Sequence, residues 1–152
     1  MEKELGKAEE IGIARYIKSV LKLPETDIKT YSPLTLAFIG DSIFDLIIRT
    51  TVVESGNAPV NKLHKRASNM VQASAQAELY HYIKDQLSEE EEAIYKRGRN
   101  AKSFTSAKNA GIVEYRTATG LEALIGYLYL TDQMDRLLEL IKPQIEKMVS
   151  IS

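Results

Sequence analysis

The stretch SPLTLAFIGDSIFDLIIR, residues 32–49, decides the fold because it reads as a helix with apolar side chains on both sides. Ser32 is a favourable N-cap residue, and Pro33 fits the first helical position. At about 100° per residue, the apolar side chains divide between two faces of this helix. One face carries Leu36, Ile39, Ile43, Leu46 and Ile47, and the other carries Leu34, Phe38 and Ile48. We therefore predict a core helix.

Two carboxylates interrupt the second face. Asp41 and Asp45 are four residues apart and point together from an otherwise apolar stripe. Two like charges in such surroundings are costly unless a positive group lies between them. Gly40, directly before Asp41, costs the helix about 1 kcal/mol relative to alanine. It therefore suggests a close approach of another backbone, a ligand or a metal ion.

The composition is that of one globular domain, with 152 residues, 44% of them apolar and 27% charged. The absence of cysteine excludes disulfides and thiolate zinc sites and is compatible with a reducing cytosol. With only two histidines, a metal would be bound by oxygen ligands, which suit Mg²⁺ or Mn²⁺. No apolar run approaches the roughly 20 residues of a membrane span, and the N-terminus has no apolar signal region. We expect a cytoplasmic protein without a membrane partner.

The net charge of −1 conceals two basic islands. The first, residues 60–66, has a net charge of +3, and the second, residues 96–116, has a net charge of +5. The rest of the chain is acidic. Local positive charge on an acidic protein is typical of a polyanion-binding site, although each island alone is also compatible with an ordinary solvated surface.

The rest of the chain predicts helices and no strand. Helices are expected at about residues 9–21, 32–54, 60–86, 89–97, 117–130 and 132–149, the last of them kinked or split at Pro143. Ser88 and Glu91 form a capping box. Residues 96–120 contain three glycines and no sustained period, so we predict a long, functional loop. The fold class is all-α.

Glu122 is the one charged side chain in LEALIGYLYL, residues 121–130, and two roles are open for it. Thr119 and Glu122 fit a capping box, in which Glu122 merely starts a helix. Alternatively, Asp41 and Glu122 project from two apolar helices and hold a hard divalent cation, with water as the remaining ligands. Such a cation would act on a phosphodiester that the basic islands bind. These features favour a metal-dependent nuclease over a binding module.

At these residues the sequence resembles the ribonuclease III family. LAFIGDSIFDL, residues 36–46, is similar to the family's signature LEFLGDAVL, and TGLEALIGYLYL, residues 119–130, is similar to its second motif DVFEALIGAIYLD. The segments PVNKLHKRAS, VQASAQA and RGRNAKS resemble the short bacterial branch, the Mini-ribonucleases III, which lack a double-stranded RNA-binding domain. The resemblance covers about residues 32–141 and implies the helical bundle of the ribonuclease III endonuclease domain.

The resemblance implies that Asp41 and Glu122 are catalytic residues and Mg²⁺ ligands, with Mn²⁺ as a substitute. Two further acids of the long enzymes are absent, since Ala37 and Thr119 stand in their places. The short branch shares these changes. Asp45 stands where the long enzymes usually have no acid, and two roles are open for it, as a carboxylate that supports the first metal or binds a second one, or as the partner of a basic neighbour such as Arg49. On this basis residues 1–31 form an extension with one amphipathic helix, and residues 32–152 form the catalytic domain.

The family further implies a homodimer packed through the signature helix, in which two active sites cut opposite strands of double-stranded RNA and leave 5′-phosphomonoesters. The short branch is implied to trim the stem of precursor large-subunit (23S) ribosomal RNA, and the sequence leaves open whether a ribosomal protein presents that stem. The predicted RNA-binding residues are Lys62, Lys65 and Arg66 on one helix and Arg97, Arg99, Asn100, Lys102 and Lys108 in the loop. The alternatives are a catalytically inactive RNA-binding or ribosome-assembly module of the same fold and a helical scaffold protein.

Overall fold

The computed structural model describes residues 11–101 and 110–151, and these residues form seven α-helices without a strand. The all-α prediction is therefore confirmed. The helices are α1 (Ile13–Val20), α2 (Pro33–Glu54), α3 (Val60–Val71), α4 (Ala73–Ile83), α5 (Glu89–Asn100), α6 (Ala110–Leu130) and α7 (Met134–Ile151). Short 3₁₀ turns lie at Ile28–Thr30 and Lys84–Gln86. None of the described helices combines the length and apolar character that spanning a bilayer requires.

The signature helix α2 begins and ends as the sequence predicts. The Ser32 hydroxyl oxygen accepts a hydrogen bond from the Thr35 backbone N–H at 3.1 Å, and Pro33 is the first helical residue. Leu36, Ile43 and Ile48 are buried in the core. Each of the two predicted apolar faces has both buried and exposed members, since Ile48 is buried while Phe38 is exposed, and Ile43 is buried while Leu46 is 54% exposed.

Helix α6 is the centre of the bundle, and α2, α4 and α5 all pack against it. Its apolar residues Leu121, Leu124, Ile125 and Leu128 are fully buried. Because neighbours surround α6 on several sides, it is apolar around most of its circumference, as expected of a buried helix. This arrangement brings residues from α2 and α4 to the same segment of α6.

The predicted long loop at residues 96–120 is much shorter in the structure, because α5 continues to Asn100 and α6 begins at Ala110. Two of the three glycines that suggested a loop serve helix packing instead. A Cβ atom on Gly98 would lie 2.7 Å from the Cβ atom of Ala123, and one on Gly120 would lie 2.6 Å from the Tyr95 ring. The glycines therefore allow α5 and α6 to cross closely.

Two other boundary predictions are also corrected. The helix expected at 60–86 is broken at Gln72, whose extended backbone (φ −65°, ψ 158°) separates α3 from α4. Helix α7 is not split at Pro143 but runs through it. Proline removes one backbone donor, so the carbonyl of Glu139 loses its helical partner. Since Glu139 is exposed, water can hydrogen-bond to that carbonyl instead.

The N-terminal helix α1 is confirmed, but its apolar residues are not buried. Ile13, Ile17 and Val20 are 54%, 41% and 49% exposed. An ion pair of 3.4 Å between Arg15 Nε and Asp132 Oδ2 links α1 to the turn between α6 and α7.

Candidate active site

Asp41 and Glu122 are brought together by a close crossing of α2 and α6. A Cβ atom on Gly40 would overlap the backbone carbonyl oxygen of Glu122, and one on Gly126 would overlap that of Leu36. The two helices therefore touch backbone to backbone, as the glycine before Asp41 suggested. Asp41 follows Gly40 directly, so its carboxylate lies beside that of Glu122. Asp41 is exposed, whereas Glu122 is partly buried.

The surroundings of Glu122 disfavour its charged form. Burial is the largest cause and the negative charge of Asp41 the second, and together they raise the pKa of Glu122 to about 8. A hydrogen bond from Gln76 lowers the pKa and comes third, and a hydrogen bond with Asp41, which raises it, is the smallest cause. Two carboxyl groups that compete for ionisation in this way are a favourable place for a cation.

The alternative role of Glu122, as part of a capping box, is wrong. Helix α6 begins at Ala110, so Thr119 and Glu122 lie in its interior. The Thr119 hydroxyl donates to the Tyr115 backbone carbonyl at 2.9 Å, one turn earlier, and does not cap a helix. The carboxylate of Glu122 is consequently free to serve the site. The capping box at Ser88 and Glu91, in contrast, is confirmed.

Gln76 is a residue of the site that the sequence analysis did not identify. It lies on α4, is 4% exposed, and donates from Nε2 to Glu122 Oε2 at 3.3 Å. The same nitrogen donates to the backbone carbonyl of Val71, the last residue of α3, at 2.8 Å. The only sequence signal was its position in VQASAQA, because a glutamine carries no charge and breaks no helix.

The divalent-cation chemistry that the resemblance implies fits the residues that are present. Ala37 and Thr119 are buried and supply no carboxylate. Within residues 11–101 and 110–151, no cluster of three or more His, Cys, Asp or Glu side chains is placed to hold a metal ion. The carboxylate donors are thus two, and near them lies a buried Gln76 amide oxygen that has no hydrogen-bond partner in the part of the chain that the structure describes. Such a set suits a hard cation that keeps several of its waters, as Mg²⁺ does.

Asp45 lies one turn after Asp41 and forms an ion pair with Arg49, with 3.0 Å between Asp45 Oδ2 and Arg49 Nε. Of the two roles left open for Asp45, the pairing with a basic neighbour is the one present in the structure. Both side chains are partly exposed, so the pair is a surface ion pair of small energetic weight.

The predicted RNA-binding residues lie on two helices. Lys62, Lys65 and Arg66 are on α3, as predicted, whereas Arg97, Arg99 and Asn100 are in the last turn of α5 and not in a loop. All are exposed except Arg66, which is partly buried. The Arg99 guanidinium lies over the Tyr95 ring at 6.0 Å and donates from Nε to Asn100 Oδ1 at 3.3 Å. Lys102 and Lys108 lie outside the described residues.

Comparison with known proteins agrees with this fold and site. Residues 34–133 match the model of the Ribonuclease III domain. The chain is 50% identical to Mini-ribonuclease 3 of Enterococcus faecalis, over 80% of this chain and 93% of that protein. It is 45% identical to Mini-ribonuclease 3 of Thermoanaerobacter sp., over 86% of this chain and 92% of that protein. A crystal structure of a protein from Fusobacterium nucleatum superposes with a TM-score of 0.73 at 35% identity, over 80% of this chain and 99% of that chain. The chain therefore belongs to the ribonuclease III family, in the branch of the Mini-ribonuclease 3 proteins.

Proposed function

We propose that this member of the ribonuclease III family, an endoribonuclease of double-stranded RNA, uses Asp41 and Glu122 to hold a catalytic Mg²⁺ ion, which Mn²⁺ can replace. The observation that carries the proposal is the α2–α6 crossing, which brings two carboxylates together and leaves Glu122 with a pKa near 8. Without a cation, two such charges side by side are unfavourable. A divalent cation stabilises both and, when bound, activates water and neutralises charge on the scissile phosphate.

The two carboxylates have different surroundings and therefore different roles. Glu122 is held from within by α6 and Gln76, so it fixes the position of the cation. Asp41 is exposed, so its carboxylate is accessible to a phosphodiester. Glu122 gives up its proton when the cation binds, because only the ionised carboxylate is a ligand. Asp45 is assigned to its ion pair with Arg49 and not to the cation.

We assign the RNA contact surface to the exposed basic ends of α3 and α5. Lys62, Lys65 and Arg66 would contact phosphates from α3. Arg97, Arg99 and Asn100 would contact phosphates or 2′-hydroxyls from α5, and Lys102 and Lys108 follow in the next segment of the chain. In an A-form duplex these groups are displayed across a wide, shallow minor groove, so recognition by shape and charge is sufficient. The backbone carbonyl of Val71, the last residue of α3, accepts from the same Gln76 nitrogen that donates to Glu122, which connects α3 to the site.

The exposed side of α2 supports a homodimer. Phe38 is 79% exposed, and Leu34, Leu46 and Val53 are 38%, 54% and 55% exposed on the same helix. Apolar side chains in this number on one helix are typical of a protein interface. We propose that two copies pack through these residues and that each active site cuts one strand of the duplex.

The substrate we propose is the stem at the ends of precursor large-subunit ribosomal RNA. The products would carry 5′-phosphomonoesters. The proposal holds for the bare stem and for a stem that a ribosomal protein presents. Since bacterial ribosomal RNA is made in the cytoplasm, the reaction would occur there. We also propose that residues 1–31 are an extension that precedes the catalytic domain.

A second candidate, an inactive RNA-binding or ribosome-assembly module, is favoured by one observation, the absence of carboxylates at Ala37 and Thr119. A cleavage assay separates the two. Purified protein is incubated with a labelled RNA duplex with Mg²⁺ or with EDTA, together with the variant Asp41→Asn. We expect cutting by the parent only with Mg²⁺ and none by the variant. Binding without cutting under all conditions would favour the inactive module, and equal cutting by the variant would refute the role of Asp41.

A further inference from the structure

The orientation of the Gln76 side chain is determined by its two hydrogen bonds. Glu122 Oε2 and the Val71 carbonyl oxygen are both acceptors, so the amide group that faces them must be the NH₂. The amide oxygen therefore takes part in neither of these two contacts. This assignment follows from hydrogen-bond chemistry and not from the shape of the side chain.

That oxygen, Gln76 Oε1, is buried and accepts no hydrogen bond from any of the described residues. Among the described side chains it is an exception that needs an explanation, because buried polar atoms almost always have a partner. It is bonded to the same carbon as the nitrogen that contacts Glu122. A donor beside Glu122, such as water, is therefore the partner that the site can supply.

We propose that Gln76 is a positioning residue of the metal site, whose amide nitrogen orients the Glu122 carboxylate and whose amide oxygen accepts a hydrogen bond from a water molecule bound to the cation. This inference rests on the proposed cation at Asp41 and Glu122. The Gln76 amide would thus be a neutral group of the metal site that lies outside the two acidic motifs around Asp41 and Glu122.

The charge of the site explains why an amide suits this position. A third carboxylate next to Asp41 and Glu122 would add a further like charge to a pair that already repels. An amide can instead donate to a ligand and accept from a coordinated water without adding charge. Groups that orient metal ligands in this way commonly change metal affinity by about 10–100-fold when they are removed.

The chain provides a matched control for this residue. Gln144, on α7, is also 4% exposed, and no hydrogen bond joins it to Glu122 among the described residues. Gln76→Met and Gln144→Met each replace a buried amide by an apolar side chain of similar length. Both variants remove a buried amide, and only the first removes the contact with Glu122.

The test is a calorimetric titration of each protein with Mn²⁺ in the absence of RNA, so that binding is measured apart from cleavage. We expect Gln76→Met to weaken Mn²⁺ binding by about 10–100-fold and Gln144→Met to leave it within about twofold of the parent. Glu122→Gln should abolish detectable binding. In cleavage assays, Gln76→Met should need more Mn²⁺ for half-maximal activity, with an unchanged KM for the RNA duplex.

The possible failures are distinguishable. If Gln76→Met binds Mn²⁺ like the parent while Glu122→Gln does not, the role of Gln76 is refuted and the metal site stands. If Glu122→Gln binds Mn²⁺ like the parent, the metal site itself is refuted. Gln76→Asn, which is polar but one methylene shorter, decides the question if Gln76→Met does not fold. Parent-like Mn²⁺ affinity in folded Gln76→Asn would also overturn the inference.

Discussion

The backbone of Gly40 lies directly against the backbone carbonyl of Glu122. No side chain separates the two helices at this point, so the position of Asp41 relative to Glu122 is fixed by the main chain. Rigid elements hold a catalytic group more accurately than loops do. The site therefore depends on a glycine that itself takes no part in the chemistry.

Gly40→Ala should destabilise the protein. The added Cβ atom would overlap the Glu122 carbonyl and force α2 and α6 apart, at a cost of about 1–3 kcal/mol that outweighs the better helix propensity of alanine. Chemical denaturation measures the free energy of unfolding. Gly111→Ala is the control, because among the described residues no atom outside the adjacent backbone of α6 lies within 4 Å of its added Cβ, and it should be neutral or stabilising. Equal effects of the two changes would contradict the close crossing.

The stability of the metal-free protein should fall as the pH rises from about 4.5 to about 8. Glu122 has a pKa of about 8 in the folded protein and an ordinary pKa near 4.5 when unfolded, so the folded state holds the extra proton in this range. Melting temperatures in EDTA across this pH range, for the parent and Glu122→Gln, measure the effect. The melting temperature of Glu122→Gln should increase relative to that of the parent as the pH rises. If the difference in melting temperature between the two proteins does not change with pH, the pKa of Glu122 is not raised in the folded protein.

Replacing basic residues on α3 should lower the affinity for RNA and make that affinity less dependent on the salt concentration. Each lost phosphate contact reduces the slope of log Kd against log salt concentration by about one. The measurement uses Lys62→Ala and Lys65→Ala in an Asp41→Asn background, so that the duplex is not cut. Lys147→Ala on α7 removes the same charge from another exposed position and should leave the slope unchanged. If Lys62→Ala and Lys65→Ala give the same slope as the Asp41→Asn background alone, α3 is not part of the RNA-binding surface.

Phe38→Ser should convert the proposed dimer to a monomer. Phe38 is 79% exposed in the single chain, so its loss should cost little folding stability and act mainly on association. Sedimentation equilibrium measures the change in mass, and we expect a dissociation constant at least tenfold higher. Val113→Ser, at an apolar position that is 66% exposed on α6, is the control. A parent-like dimer with Phe38→Ser would place the interface elsewhere.

Local signals in the sequence predicted the elements that local chemistry determines. Ser32 and Pro33 gave the start of α2, and Ser88 with Glu91 gave the start of α5, because a cap is made by residues three positions apart. Gly40 predicted a close approach, and the approaching group is the backbone of α6.

The errors concern residues whose role depends on distant parts of the chain. Gly98 and Gly120 read as loop residues, yet they lie where α5 and α6 cross, and only the partner helix distinguishes the two cases. Gln76 was missed for the same reason, since its function comes from Glu122, 46 residues away in sequence. An uncharged polar residue within a helix gives no signal until its neighbours are known.

The most direct test of the central claim is the anomalous diffraction of a crystal of this protein soaked in Mn²⁺. The account predicts one strong peak with carboxylate oxygens of both Asp41 and Glu122 at about 2.0–2.3 Å, the distance of hard-cation ligands. The peak should be absent from crystals of Glu122→Gln treated in the same way. A peak that contacts neither residue, or one that remains unchanged in the variant, would contradict the assignment of the active site.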